Sequence, residues 1–281
     1  MTNTNHGDVD LHLHTCHSDG YYTPNDLIDK VHSHGLSAIA IVDHDEIGAL
    51  PEAIQYGKSK NIEVLPGVEL SVYFRGQDIH VLGYCFDYHD SDLLDYLGLF
   101  RRERLKRARQ IIEKLALSGI HISLDDVLEK GGAGSIGRPH IANVMLENGV
   151  IDSFQEAFDR FLGDGKPANV EKYKIDVYTA VSIVKSAGGI CSIAHPGIQV
   201  QNRDLMPLFK MGIQGIEVVH PKHREEKTDF YRNLARNHGL LATGGSDFHG
   251  GPKGEEALGK YTVEYEIVGQ MKALGNCQQP S

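Results

Sequence analysis

Residues 9–45 read VDLHLHTCHSDGYYTPNDLIDKVHSHGLSAIAIVDHD, and this stretch contains one full turn of the pattern that decides the fold. An apolar run, Val9–His14, ends in polar residues; Thr23-Pro24 then offers a cap followed by proline in a first helical turn; a second apolar run, Ala38–Asp43, ends as the first did. Strand, helix and strand follow one another. The same alternation continues with a helix from about Pro51 to Lys60, a strand Ile62–Leu65 ending at Glu69, and a strand Ile79–Tyr84. It resumes later with helix Tyr178–Ala187, strand Gly189–His195, helix Leu205–Met211, strand Gly215–His220, helix Glu225–His238 and strand Leu240–His249. Seven strands result, and because they are apolar along their length they read as parallel and buried on both faces. The expected fold is α/β, a closed or nearly closed βα barrel, with its chemistry at the C-terminal ends of the strands.

Between Tyr88 and Asp176 the alternation breaks. A long helical segment Leu93–Ser118, a glycine-rich stretch Gly131–Gly137 and a helical run near Pro139–Glu147 predict an inserted α-helical subdomain over 91–175, with the barrel built from 8–90 and 176–275. The end, Asn276–Ser281, reads as a frayed tail.

Composition narrows the function. With 281 residues, 41% hydrophobic, 23% charged and a net charge of −10, the chain is globular rather than disordered, collagenous or coiled-coil. Its apolar runs fall far short of the roughly 20 residues of a membrane span, and its first ten residues carry no basic or apolar leader, so a cytoplasmic address and no membrane contact are expected. Cys16, Cys85, Cys191 and Cys277 form no C-x-x-C pair and are expected to be reduced, outside any disulfide framework or thiolate zinc site. The acidic balance argues against coating long nucleic acid, and no obligate protein partner is evident. Histidine is the anomaly: 16 copies without a tag or tract point to imidazole as metal ligand or acid/base group.

Those histidines fall at strand ends. His12 and His14 stand two apart on one strand, so both rings project to one side. Asp19 follows in a His-Ser-Asp-Gly turn; His44 ends the second strand; Glu69 closes the third; His80 opens the fourth; His195 ends the fifth; Asp247 and His249 close the last. Nine ligand-type groups exceed the needs of one ion, and they suit two or three divalent ions. Imidazole and carboxylate without thiolate favour manganese, with zinc or iron as alternatives. Three carboxylates leave such ions under-neutralised, which calls for an anionic substrate. Asp43 reads as the residue that orients His44.

The segments Asp10-Leu11-His12-Leu13-His14, Val42-Asp43-His44-Asp45, Pro66-Gly67-Val68-Glu69 and Gly245-Ser246-Asp247-Phe248-His249 together resemble the motifs of the PHP (polymerase and histidinol phosphatase) superfamily. Within it the similarity is to the nucleotide phosphoesterase branch of TrpH (RNase AM) and the 3′,5′-nucleoside bisphosphate phosphatases, and it spans about residues 8–260. The resemblance implies a distorted (β/α)7 barrel with a trinuclear centre. It implies a first ion on His12, His14, Glu69 and Asp247, a second on Glu69, His80 and His195, and a third on Asp19, His44 and His249. It implies hydrolysis of 3′,5′-nucleoside bisphosphates or of short 5′-phosphorylated single-stranded RNA, with Asp19, His44, Glu69 and His249 at the catalytic centre. A histidinol phosphatase would carry histidine at the Asp19 position. A metal-dependent amidohydrolase would commonly carry a strand-end lysine, and a non-catalytic PHP module would have lost ligands; neither feature is present.

Residues 101–109 hold six basic side chains against one acidic. On a helix Leu105, Ala108, Ile112 and Leu115 form one stripe, with Arg101 on its line and Arg104 beside it, so both arginines are expected to face inward as a phosphate clamp. The resemblance adds Arg138 and His140 to the substrate contacts. Gly132–Gly137 spells G-x-G-x-x-G without a preceding strand, so a mobile substrate-closing loop is expected there and not a dinucleotide site. His223, after the sixth strand, is the candidate general acid.

Overall fold

The computed structural model describes residues 8–132, 134–251, 255–275 and 277; the expected tail, apart from Cys277, and Ala133 of the glycine-rich loop lie outside them. Seven strands form a single sheet in chain order: β1 (Val9–Leu13), β2 (Ala38–Ile41), β3 (Glu63–Phe74), β4 (Gln77–Tyr84), β5 (Ile190–Ile193), β6 (Gly215–Val219) and β7 (Leu241–Gly244). Bridges from Leu13 to Phe248 and from Val9 to Val263 bring the two edges together, which nearly closes the ring.

The expectation of seven parallel strands is corrected at β4, which runs antiparallel to both β3 and β5. β3 continues past Glu69 to Phe74 and returns through Arg75-Gly76, two residues with φ of 47° and 88°. A two-residue turn with both φ positive matches the twist of a hairpin and leaves no room for a crossover helix. The reversal has a functional result. His80 lies near the start of its strand, yet it pairs with Ser71 and therefore stands beside Glu69 at the ligand-bearing rim.

The helices are α1 (Pro24–Ser33), α2 (Leu50–Ser59), α3 (Ser91–Leu117), α4 (Leu124–Gly131), α5 (Arg138–Glu147), α6 (Phe154–Ala157, running into a π-helical turn Phe158–Leu162), α7 (Val177–Ser186), α8 (Pro196–Gln199), α9 (Asn202–Lys210), α10 (Glu225–His238) and α11 (Glu266–Leu274), of which α4, α5 and α6 lie apart from the sheet. Thr23 caps α1 by accepting from the Asp26 N–H, with Pro24 in the first turn. Alternation then divides β2 between two cores: Ile39 and Ile41 pack with Leu27, Ile28, Ala53 and Ile54 of the outer helices. Ala38, Ala40 and Val42 pack with Leu65, Leu82 and Tyr84 against Ile267, Val268 and Met271 of α11.

Helix α3 serves two bodies. Its first half puts Leu93, Tyr96, Leu97 and Phe100 into the barrel core. Its second half puts Ala108, Ile111 and Leu115 into a separate core with Val127, Ile141, Met145 and Leu162. No helix among the described residues is long and apolar enough to cross a membrane.

The expectation of four reduced cysteines is also corrected. Cys85, just after β4, is disulfide-bonded to Cys277, just after α11, with Cα atoms 4.3 Å apart, while Cys16 and Cys191 are free. The partners are 192 residues apart in sequence, and pairing over that distance follows from the return of α11 across the barrel rather than from any spacing.

Close strand packing makes Gly67 sensitive. A Cβ there would stand 2.6 Å from both the Ile41 carbonyl oxygen and Val42 Cγ1. Gly67→Ala is expected to destabilise by about 1–3 kcal/mol, read as a lowered urea midpoint; an unchanged midpoint would show that β2 and β3 separate at no cost.

Candidate metal centre

The centre is assembled around Glu69, buried at the rim of β3. Its Oε2 lies 3.2 Å from His12 Nε2, 3.3 Å from His14 Nε2 and 3.4 Å from His44 Nδ1, and its Oε1 lies 2.7 Å from His80 Nδ1 and 2.9 Å from His195 Nε2. Five imidazoles from four segments therefore converge on one carboxylate. Asp247 approaches from the far side, its Oδ1 3.4 Å from the Nε2 atoms of both His12 and His14. Asp19 Oδ1 lies 3.2 Å from His249 Nε2 and Asp19 Oδ2 3.9 Å from His44 Nε2.

All nine expected ligands come together. The donor atoms of eight of them, all but His195, form three overlapping groups, each within 4.8 Å: His12, His14, Glu69 and Asp247; His14, Asp19, His44 and His249; and His44, Glu69 and His80. The first is the set expected for one ion. The second adds His14 to the expected Asp19, His44 and His249. The third holds His44 with Glu69 and His80, while His195 reaches the same Glu69 oxygen as His80.

The donor set fits divalent cations. Neither nitrogen of the buried His14 ring has a hydrogen-bond partner of acceptable geometry among the described residues, although two carboxylates stand within 3.4 Å of Nε2. The electrostatics agree. Burial raises the Glu69 carboxyl, but His44, His80 and His12 overcome it and hold the group well below the usual range. Asp19 is likewise raised by burial and taken well below by His44 and His249. Burial lowers His14, and the acids beside it reverse this to about 10, whereas burial prevails at His44 and takes it to about 3. A cation at such a position takes over the charge balance that protons provide in its absence.

Two buried acids support the ligands, and sequence reasoning gave neither a role. Glu217 accepts from His12 Nδ1 at 2.8 Å and from the His195 backbone N–H at 2.6 Å. One carboxylate thus sets a ring tautomer and the start of the segment carrying a second ligand. Asp10 accepts from the backbone N–H groups of His12 and Ser246, and burial pushes its carboxyl up to about 7. The available signal was a lone acid within an apolar strand, Gly-Ile-Glu-Val-Val over 215–219 and Val-Asp-Leu over 9–11. His220 completes the layer, its Nε2 3.2 Å from Asp247 Oδ2.

Several expectations are corrected. Asp43 does not orient His44; it accepts from Thr15 N, Thr15 Oγ1 and Ser18 Oγ, which ties down the turn leading to Asp19. His223 has Nδ1 on the Val218 carbonyl and Nε2 accepting from the Gly197 N–H, so this tautomer has no proton left to give a leaving group. Arg101 is 53% exposed and pairs with Glu46 at 2.8 Å, away from the cleft. The glycine-rich segment is stitched down and does not form a free loop: Ser135 N–H donates to the His17 carbonyl at 2.8 Å. His140 Nε2 bonds the Ser18 carbonyl at 2.7 Å and His140 Nδ1 accepts from Gly137 N–H, so both ring nitrogens are engaged by backbone.

Arg104 does face inward. Its Nε donates to Asp45 Oδ2 at 3.0 Å and its Nη2 to Ser71 Oγ at 3.3 Å. It lines a cavity of about 160 Å³ with Asp19, His44 and His80 at one end and Arg107, Arg138 and Lys172 around it. Arg107 and Lys172 were missed, although Arg107 lies one helical turn beyond Arg104 on the same face. Burial, with repulsion from Arg138 and Arg104, lowers Arg107 to about 10, and Lys172 is lowered chiefly by burial.

A PHP domain model matches residues 10–162. A 3′,5′-nucleoside bisphosphate phosphatase of Chromobacterium violaceum is 33% identical over 89% of this chain and 90% of its own length. A 5′-3′ exoribonuclease of Haemophilus influenzae is 34% identical over 89% of this chain and 93% of its own. A Bifidobacterium adolescentis protein of known structure, assigned as a metal-dependent phosphoesterase, superposes with a TM-score of 0.87 at 29% identity over 95% of this chain and 96% of its own.

Glu217→Gln keeps the shape but puts an amide against His12 Nδ1. Metal affinity is expected to fall by about 10- to 100-fold, read by calorimetric titration of the stripped protein; unchanged affinity would remove Glu217 from the centre.

Proposed function

The chain belongs to the PHP domain family, and we propose that it is a metal-dependent phosphoesterase releasing phosphate from nucleoside 3′,5′-bisphosphates and shortening short 5′-phosphorylated RNA from its 5′ end. The observation that carries this reading is the crowding of Arg104, Arg107, Arg138 and Lys172 around one cavity that ends at Asp19, His44 and His80. Like charges packed at partial burial are stabilised by a multiply charged anion, and planar guanidinium groups match phosphate oxygens. A second phosphate held by these groups leaves the first among the ligand residues.

The residues divide the work. His12, His14, Glu69 and Asp247, His80 with His195, and Asp19, His44 and His249 would hold the ions. Manganese is the assignment proposed, from imidazole and carboxylate donors without thiolate. Bound divalent ions supply an activated water and offset charge developing on the phosphoryl oxygens. Asp45 and Ser71 fix the Arg104 guanidinium, and Leu162 O and Asp164 Oδ1 fix Arg138 Nη1 at 3.0 and 3.1 Å. These cations are thereby aimed before substrate arrives, which lowers the ordering cost of binding.

Chelator-treated protein is expected to lose about 100-fold or more of its phosphate release from adenosine 3′,5′-bisphosphate, with manganese restoring it; full activity in excess chelator would end the proposal. Arg107→Ala and Arg138→Ala are each expected to lower kcat/KM for the bisphosphate by about 10- to 100-fold, with far smaller effects on p-nitrophenyl phosphate. Arg101→Ala should leave both substrates within about twofold, since its partner is Glu46. Equal losses on both substrates at Arg107 and Arg138 would show that they shape the protein rather than grip a second phosphate.

A further inference from the structure

The cavity that holds the cations and the ligand residues is polar on nearly every side, with one aromatic wall. Phe158 lines it, half-buried, and Arg138 Cζ stands 5.8 Å from its ring centroid. The ring is presented by the π-helical turn Phe158–Leu162, a departure from α-helical winding that is rare in proteins and concentrated at functional positions. That turn also supplies the Leu162 carbonyl that anchors Arg138, so one local distortion positions both the cation and the ring. Beyond it lies Phe154, 40% exposed, its ring centroid 5.3 Å from that of Phe158. The aromatic surface therefore continues out of the cleft toward solvent.

Phosphate contacts cannot tell a nucleotide from any other phosphate ester, because they read only charge and geometry. An aromatic face beside a cationic groove does make that distinction, since a base stacks on it whatever its sequence. We propose that Phe158 is the wall on which the substrate's nucleobase stacks, so that it selects nucleotides over sugar phosphates. This deepens the phosphoesterase reading above and rests on it for the identity of the phosphate site. The other aromatic pair near the cations, Phe100 and Tyr173, is a poorer candidate. The cavity it borders holds about 20 Å³, against about 160 Å³ beside Phe158, and Phe100 is already part of the barrel core.

The test is calorimetric binding of adenosine 5′-monophosphate and of ribose 5-phosphate to the manganese-loaded full chain. The wild type is expected to prefer the nucleotide by about tenfold. Phe158→Leu keeps an apolar side chain against the insertion core and should reduce that preference to below about twofold, chiefly by weakening nucleotide binding, while Phe158→Tyr keeps an aromatic face and should retain it. A wild type without preference, or a leucine variant that keeps it, would overturn the proposal; so would equal weakening of both ligands. Phosphate release from adenosine 3′,5′-bisphosphate by the wild type separates the two readings. Release without any nucleotide preference sinks the stacking wall alone, and preference without release sinks the phosphoesterase reading alone.

Discussion

A single carboxylate facing five imidazoles is the constraint around which the rest of this molecule is arranged. Glu69 is buried, so its charge must be met by its neighbours, and those neighbours come from β1, the end of β2, β4 and the end of β5. No local segment could gather them; only a sheet curled into a ring brings four strand ends to one point. The reversal at Arg75-Gly76 is part of the same requirement, because it puts His80 at the ligand-bearing rim. Glu217 and Asp10 then tie the backbone of the strands carrying His12 and His195 to one another and to the segment after β7. The acids of the barrel interior thus hold the ligands while apolar side chains hold the strands.

Much of this was legible because it rests on short-range rules. The period-two pairing of His12 and His14, the capped helix after Thr23, and acids or imidazoles at each strand end follow from local geometry, and the nine ligand-type residues read that way lie around one carboxylate. The unreadable parts depend on what the chain meets far along the sequence. A tight turn can be written in many residue pairs, so Arg75-Gly76 did not announce that β4 would run backward. Lys172 carries no local sign of its place in the cleft, for it reaches it from the irregular last segment of the insertion. The arginines of α3 that face inward were misjudged by one helical turn: Arg104 and Arg107 turn to the cleft and Arg101 turns away, because that part of the helix rests between two cores and not on one. Cys85 and Cys277 meet because α11 folds back beneath the strands, and spacing says nothing of that.

On the reading proposed above, the insertion would grip the substrate with groups from several of its own elements and from the segment by which it returns to the barrel. Arg104 and Arg107 come from α3, Arg138 from α5, Phe158 from the turn after α6, and Lys172 from the segment leading back to the barrel. The three arginines are each set by a contact that does not involve substrate: Asp45 and Ser71 for Arg104, the Val170 carbonyl for Arg107, and the Leu162 carbonyl for Arg138. Because α3 is continuous through both cores, its arginines are carried on the same rod that is embedded in the barrel. Arg104 and Arg107 are accordingly held at a set position relative to the ligand-type cluster, which on the proposed reading would suit a substrate with two phosphates.

Part of the seam between the two bodies rests on main-chain carbonyls, beside the first half of α3 in the barrel core and the Arg104 contacts to Asp45 and Ser71. Ser135 and His140 each fasten to a carbonyl of the His17-Ser18 turn, and Gly134 lies so close to His17 that a methyl group there would stand 1.8 Å from its oxygen. Backbone carbonyls are present whatever the side chain, so this joint tolerates drift in the residues on the barrel side while demanding a glycine and an imidazole on the other. A transplanted insertion with a different recognition surface would need this short clasp as well as the apolar first half of α3 that packs in the barrel. New specificities can therefore be explored in the insertion without rebuilding the ligand cluster beneath it.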